Sequence, residues 1–349
     1  GIGGTGIGPL ALIAKQAGFE VSGSDKQESQ YTQYLLKHDV DLYIGQTHEA
    51  IESLNTSKPI DWYVYSSALP LEQPYHPELV FVKENNIKHS KRDKFLNALI
   101  IEKGLNLIAF AGTHGKTSST AMAIWACKQL NVPISYSVGA KLSFGDMGAY
   151  NPDSEIFLYE CDEFDNNFLT YHPFISVLSK VDWDHHEIFP NRDTYIEAFK
   201  KFCSQSNSVV AHTREIDYLN LKGSGIITID NKITELVKIP GKHNRENAAG
   251  VITALMNSTH ATLEELLESI NSYPGSYRRF EKIANNIYTD YAHTPEEIES
   301  TIQLARETSN NLVVVYEPLT NRRQHFMKDM YKDVFKNLKS LYWVPSYLA

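Results

Sequence analysis

Gly112-Thr113-His114-Gly115-Lys116-Thr117-Ser118-Ser119 follows the apolar run Leu107-Ile108-Ala109-Phe110 and opens a helix-like stretch over 120–130. Strand, glycine-rich turn and helix in that order make a phosphate-binding loop. Backbone N–H groups and the positive helix end meet phosphate oxygens, with a lysine and a hydroxyl beside them. Lys116 is expected to reach the terminal phosphates from an exposed loop, and Thr117 to face a magnesium ion. The commoner form of this loop carries another glycine five residues before Gly115, where this chain has Phe110, so the loop is a shorter variant.

Working outward, the first hundred residues alternate short β-rich runs, at 19–22, 62–65 and 80–82, with helical or loop stretches, which is an α/β pattern. A polar segment at 88–93 leads into a helix over 94–102, and a boundary near residue 103 follows. The phosphate-loop unit continues through strands at 156–159, 174–178 and 208–211 and helices at 192–202, 244–256 and 263–270. It closes at the turn-rich Asn271-Ser272-Tyr273-Pro274-Gly275. Strands at 286–289 and 311–316 begin a third unit too short to close a doubly wound sheet. The expected organisation is therefore 1–103, 104–273 and an incomplete 274–349.

Composition bounds the function. With 42% apolar and 21% charged residues among 349, the chain reads as an ordinary soluble enzyme rather than a disordered or fibrous one. A net charge of −9 argues against a general nucleic-acid surface, so an anionic substrate must be held by local cations, backbone amides and metal. Three scattered cysteines, Cys127, Cys161 and Cys203, suit reduced thiols better than a disulfide frame. No apolar run reaches membrane-spanning length and no leader pattern is present, so a cytoplasmic location is expected.

Several further clusters carry chemistry. Gly1-Ile2-Gly3-Gly4-Thr5-Gly6-Ile7-Gly8 holds a Gly-x-Gly-x-x-Gly fingerprint with Asp25 where a ribose-binding acid belongs. It reads as a diphosphate cradle for NAD or for a UDP-linked substrate, or else as a flexible glycine-rich end. Glu160 ends an apolar strand, the place where open α/β sheets put their ligands, and can hold magnesium opposite Thr117. Asp162, Glu163 and Asp165 behind it read mostly as a solvated acidic turn. Asp182-Trp183-Asp184-His185-His186 ends the next strand, and the histidine pair is either a surface feature or a second metal site. Gly241-Lys242-His243-Asn244 with Asn247, Arg278-Arg279-Phe280-Glu281, and Asp290-Tyr291-Ala292-His293 complete the set.

In this order the clusters resemble the Mur ligase family of ATP-dependent amide-forming enzymes of bacterial cell-wall synthesis, over nearly the whole chain. The resemblance implies a Rossmann-like N-terminal domain for a UDP-linked substrate, a central phosphate-loop ATPase domain and a Rossmann-like C-terminal domain that closes over both. It implies ATP, Mg2+, UDP-N-acetylmuramate and a small L-amino acid as ligands, with a recycled murein tripeptide as the alternative amine. Carried over by position, Gly112, Thr113, His114, Gly115, Lys116, Thr117 and Ser118 cradle ATP phosphates. His243 and Asn247 lie on the adenine side, and Arg279 and Asp290 cross to phosphate and ribose. Thr117, Glu160 and His185 hold two magnesium ions, with Glu160 shared between them. Gly3, Gly4, Gly6, Asp25, Ser66, Ser67 and His114 face the nucleotide sugar, and Arg323 the carboxylate of the incoming amine. Two positions depart from the family. Phe199 stands where several members carry a carbamylated lysine, and Pro318-Leu319-Thr320 replaces a Pro-His-Arg segment. A nicotinamide dehydrogenase would explain residues 1–25 but not the phosphate loop, and a non-catalytic nucleotide sensor would not explain Glu160.

Overall fold

The computed structural model of the chain describes residues 1–185, 188–318 and 329–345. A seven-stranded sheet dominates it, built from β5 (Asn106–Ala111), β6 (Ile134–Ser137), β7 (Gly148–Ala149), β8 (Ile156–Glu160), β9 (Ile175–Leu178), β10 (Ser208–Ala211) and β11 (Ile226–Thr228). Their order is β11-β10-β9-β5-β8-β6-β7, and every pairing is parallel except β6 with β7.

Strand alternation explains the two layers around this sheet. Ile108 and Phe110 of β5 point into a core with the helices Lys116–Gln129 and Lys242–Met256, through Met122, Ile124, Ile252 and Leu255. Leu107, Ala109 and Ala111 point the other way, towards Phe199 and Phe202 of the helix Arg192–Ser204. That second core also takes in Leu10 and Ile13 of the helix Gly8–Gln16 and Phe95 and Leu99 of the helix Arg92–Glu102, so the N-terminal region is packed onto the central sheet. The contact is close. A Cβ on Gly148 of edge strand β7 would lie 2.9 Å from both Pro9 and Ile13.

The N-terminal region carries two parallel pairs, β1 (Ser22–Asp25) with β2 (Asp41–Ile44) and β3 (Tyr63–Tyr65) with β4 (His89–Lys91). Beyond the central sheet lie the antiparallel pair β12 (Glu281–Ala284) and β13 (Ile287–Thr289) and the parallel pair β14 (Val313–Tyr316) and β15 (Ser340–Trp343). The helix Pro295–Arg306 packs Ile298 and Ile302 against Tyr316.

Two sequence expectations fail here. Residues 80–82 are not a strand but part of the helix Pro77–Glu84, with Leu79, Phe81 and Val82 buried. Three consecutive apolar residues do not distinguish the two periods, whereas Pro77, pre-set for a first helical turn, does. Strand β1 occupies Ser22–Asp25 rather than 19–22, because Phe19 turns aside to pack edge-on against Phe95 at 5.6 Å.

Candidate active site between two glycine loops

Parallel register lines up three strand ends at one place. Phe110 is level with Glu160, and Ala111 with Leu178, so the loop after β5 starts beside Glu160 and Ser179. The amides of Thr113 and His114 donate to the Lys180 carbonyl at 2.8 and 3.3 Å, which pins the loop to the end of β9. Two of its residues need glycine. Gly112 has φ +138° with the Ser179 hydroxyl 2.4 Å from where a Cβ would sit, and Gly115 has φ +91° with the Asn247 amide 2.7 Å away.

Lys116 is not the exposed loop lysine expected from sequence. Its side chain is 14% exposed; the ammonium donates to the Gly112 carbonyl at 2.7 Å and to Glu163 Oε2 at 2.7 Å, with Asp162 at 3.8 Å. Burial opposes its charge, yet the surrounding carboxylates more than offset this and raise its pKa. Glu163 is completely buried, and that desolvation holds its carboxyl above the usual range despite Lys116. Asp162 is also desolvated, but Lys116 and His185 outweigh this and lower its pKa.

The acidic run after Glu160 therefore divides, and reading it as mostly solvated is wrong for Glu163. Asp165 and Asn166 take the left-handed conformation at φ 54° and 55°, and this kink sends Glu163 inward and Asp165 outward to pair with Lys91. Nothing in three nearby acids says which will turn in. Tyr195 is a second residue that sequence reasoning missed. Its hydroxyl lies 2.7 Å from Thr113 Oγ1 and 3.4 Å from Glu163 Oε1.

Thr117 and Glu160 meet as expected, with the threonine hydroxyl donating to Oε1 at 2.8 Å, while the Gly139 amide donates to Oε2 at 2.6 Å. His185 lies 3.6 Å from Glu163 Oε1, and the ligand atoms of Asp162, Glu163 and His185 all fall within 4.8 Å of one another. The carboxylates grouped with the imidazole are thus these two rather than Glu160. His186 lies outside the described residues.

On the outer side of the loop, a cleft of about 360 Å3 is lined by His114, Gly115, Ser118, His243, Asn247, Arg279 and Asp290, seven of the residues expected around ATP, while Gly112, Thr113, Lys116 and Thr117 are not in its lining. Desolvation lowers the His243 pKa against the pull of Asp290, Glu246 and Glu307, and its Nδ1 is buried without a hydrogen-bond partner. Asp290 accepts from the amides of Phe280 and Ala292, both at 2.7 Å, and so closes the turn that carries Arg279. Glu297 gathers His293 at 3.1 Å, His114 at 3.4 Å and Arg279 at 3.8 Å. Burial opposes its charge, but the two histidines hold its carboxyl well below the usual range. No sequence motif flagged Glu297, which follows Pro295-Glu296 at an ordinary-looking helix start.

On the inner side, a second cleft of about 220 Å3 joins Thr5 and Gly6 of the N-terminal glycine loop to Lys116, Gly139, Glu160 and Asp162. In that loop the Gly3 amide donates to Asp25 Oδ2 at 2.8 Å and the Lys26 amide to Oδ1 at 2.7 Å, so Asp25 orders the loop by its backbone. Gly4 lies in the same turn, its amide donating to the Gly1 carbonyl. Ser66 accepts a turn hydrogen bond from the Leu69 amide, and Ser67 donates to Asn167 at 3.2 Å, away from both clefts' linings. Phe199 is fully buried against Phe168 and Tyr195. Arg323, with Leu319 and Thr320, lies outside the described residues.

Residues 1–103 match the family model described as Mur ligase family, catalytic domain. The chain is 30% identical, over its whole length and 82% of the relative's, to UDP-N-acetylmuramate--L-alanine ligase of Clostridium botulinum (strain Langeland), and 28% identical with the same coverage to that of Clostridium acetobutylicum. Its fold is similar to that of UDP-N-acetylmuramate-alanine ligase from Thermotoga maritima, with TM-score 0.75, 24% identity and 99% and 89% of the two chains covered. It is also similar to a murein peptide ligase from Psychrobacter arcticus, with TM-score 0.70, 20% identity and 98% and 83% covered.

Proposed function

The chain belongs to the Mur ligase family, with that family's three-domain α/β architecture, and we propose that it joins L-alanine to the lactyl carboxylate of UDP-N-acetylmuramate, driven by ATP. The observation that carries this reading is the inner cleft. It brings Thr5 and Gly6 of the N-terminal glycine loop into one cleft with Lys116, which follows the phosphate loop, and with Glu160, which supports a site shared by two phosphate-bearing ligands. A dehydrogenase has no use for the second loop, and a nucleotide sensor none for the first.

The residues fit ATP and magnesium. The outer cleft is lined by His243 and by the Asn247 amide, polar groups suited to a nucleotide, with Gly115 of the phosphate loop beside Asn247. Thr117 and Glu160 would supply hard oxygen donors, and the carboxylates of Asp162 and Glu163 with the imidazole nitrogen of His185 a second set. Magnesium bound there neutralises phosphoryl charge. The reaction itself runs in two displacements. The carboxylate oxygen attacks the γ-phosphorus and ADP leaves with the bridging oxygen; the neutral amine nitrogen then attacks the acyl carbon, phosphate leaves with the former carboxylate oxygen, and the nitrogen gives up one proton to solvent. Lys116, held charged by Glu163 and already aimed at the loop, offsets the negative charge that gathers as carboxylate meets triphosphate. The three units meet at boundaries near residues 103 and 273, with Arg323 as the arginine whose planar fork would hold the carboxylate of the amine.

The test is phosphate release from the full chain given ATP, UDP-N-acetylmuramate and one amine at a time. Turnover with free L-alanine above that with L-alanyl-γ-D-glutamyl-diaminopimelate supports the reading. The reverse order replaces it with the murein peptide ligase, and no phosphate with any amine refutes the ligase.

A further inference from the structure

Arg92 opens the helix Arg92–Glu102 directly after β4 and lines the inner cleft, yet neither the phosphate loop nor the N-terminal fingerprint contains it. Its guanidinium lies so close to the glycine loop that a Cβ on Gly6 would come within 2.1 Å of Nη1. The side chain is held from behind. Asp93, almost completely buried, places Oδ2 3.5 Å from Arg92 Nε, while its Oδ1 accepts from the hydroxyls of Tyr159 at 3.1 Å and Tyr171 at 3.0 Å. The Asp93 contact is an ion pair and not a hydrogen bond, so the guanidinium keeps its N–H groups for a ligand. Across the cleft stand Lys116, Glu160 and Asp162. Lys116 is engaged by Glu163 and the Gly112 carbonyl, and the facing carboxylates repel an anion, so Arg92 is the cation on the N-terminal wall towards which a substrate carboxylate would turn.

Resting on the ligase reading above, we propose that Arg92 is a substrate-binding residue that grips the carboxylate of the nucleotide sugar and aims it at the γ-phosphate, with Asp93 as its positioning residue. A guanidinium presents two parallel N–H groups to the two carboxylate oxygens, whereas a lysine ammonium does not, so charge alone is insufficient.

The experiment compares binding by the full chain, followed by calorimetry, of UDP-N-acetylmuramate and UDP-N-acetylglucosamine, which share the diphosphate and sugar but differ in the lactyl carboxylate. In the unaltered protein the first is expected to bind more tightly. In Arg92→Gln and in Arg92→Lys that preference should shrink by about tenfold, the size of one charge-assisted bidentate contact, with UDP-N-acetylglucosamine and ATP binding unchanged. Equal weakening of both sugars would overturn the proposal, since Arg92 would then serve the diphosphate or the shape of the glycine loop. An unchanged preference would overturn it as well. Arg92→Lys keeps the stem and the charge, and its melting curve shows whether the fold survives. Failure of the ligase reading shows separately, as absence of phosphate release from the unaltered protein.

Discussion

Replacing Lys116 with methionine should remove turnover and also destabilise the fold, because fully buried Glu163 then loses its lysine partner and keeps only Tyr195 and His185. Breaking one side of a buried ion pair costs about 3–5 kcal/mol. Glu163 is already biased towards its neutral form by desolvation, so proton uptake limits the loss to the lower end of that range. At roughly 2–4 °C per kcal/mol for a unit of this size, the apparent Tm falls by about 10 °C. Adding Glu163→Gln removes the orphaned charge and should return about 2 kcal/mol, a coupling that neither single variant reveals. The assay is a thermal melt of the four proteins of the cycle, with phosphate release measured in parallel. A Lys116→Met protein that melts with the parent would refute the reasoning, because the lysine would then be the exposed loop residue that its motif suggests.

Three further outcomes follow from the site and the core. Glu160→Gln should lower magnesium-dependent turnover by roughly a hundredfold, the scale of losing one preorganised charged group, while Asp165→Asn, on the outward side of the kink, should change it little; similar losses in steady-state assays would reunite the acidic run. The thiols of Cys127 and Cys203 are buried and pushed up to about 12 by desolvation, so iodoacetamide at pH 8 should label them only after unfolding, as mass spectrometry would show; labelling of the native protein would contradict the packing. Glu307, lowered to about 2 chiefly by its bond to Arg245, adds stability that is present above the ordinary carboxylate range and is lost as pH falls from about 4.5 to about 2. The small Tm gap between parent and Glu307→Gln should therefore close over that window, and a gap that widens there would reverse the sign.

The phosphate loop was legible because its chemistry and its structure coincide. Gly112 and Gly115 are glycines for backbone reasons, and Lys116 and Thr117 follow them at a spacing that only a strand-to-helix turn uses. Glu160 was legible because it ends the continuous apolar run Ile156-Phe157-Leu158-Tyr159. What sequence left hidden depends on contacts between distant segments. Glu163 and Asp165 differ only through the kink at residues 165 and 166, Glu297 matters because His114 lies 183 positions away in the chain and 3.4 Å away in space, and Arg92 matters because Gly6 has no side chain. Short strands of mixed character, such as β4 with His89, Ser90 and Lys91, are likewise set by pairing rather than by propensity.

The contact of Gly148 with Pro9 and Ile13 means that the outermost strand of the central sheet is covered by the first helix. An open strand edge invites pairing with another chain, and here the same helix that carries the glycine loop serves as its cover. Swinging the first domain away would bare that edge and empty an aromatic-lined core. The helix Pro295–Arg306 meets the central region through Arg245 to Glu307 and His114 to Glu297 and through the Gly241 amide, which donates to Glu307. The short first helix thus carries two duties, presenting the N-terminal glycine loop and closing the edge of the central sheet, so a change that loosened it would disturb both.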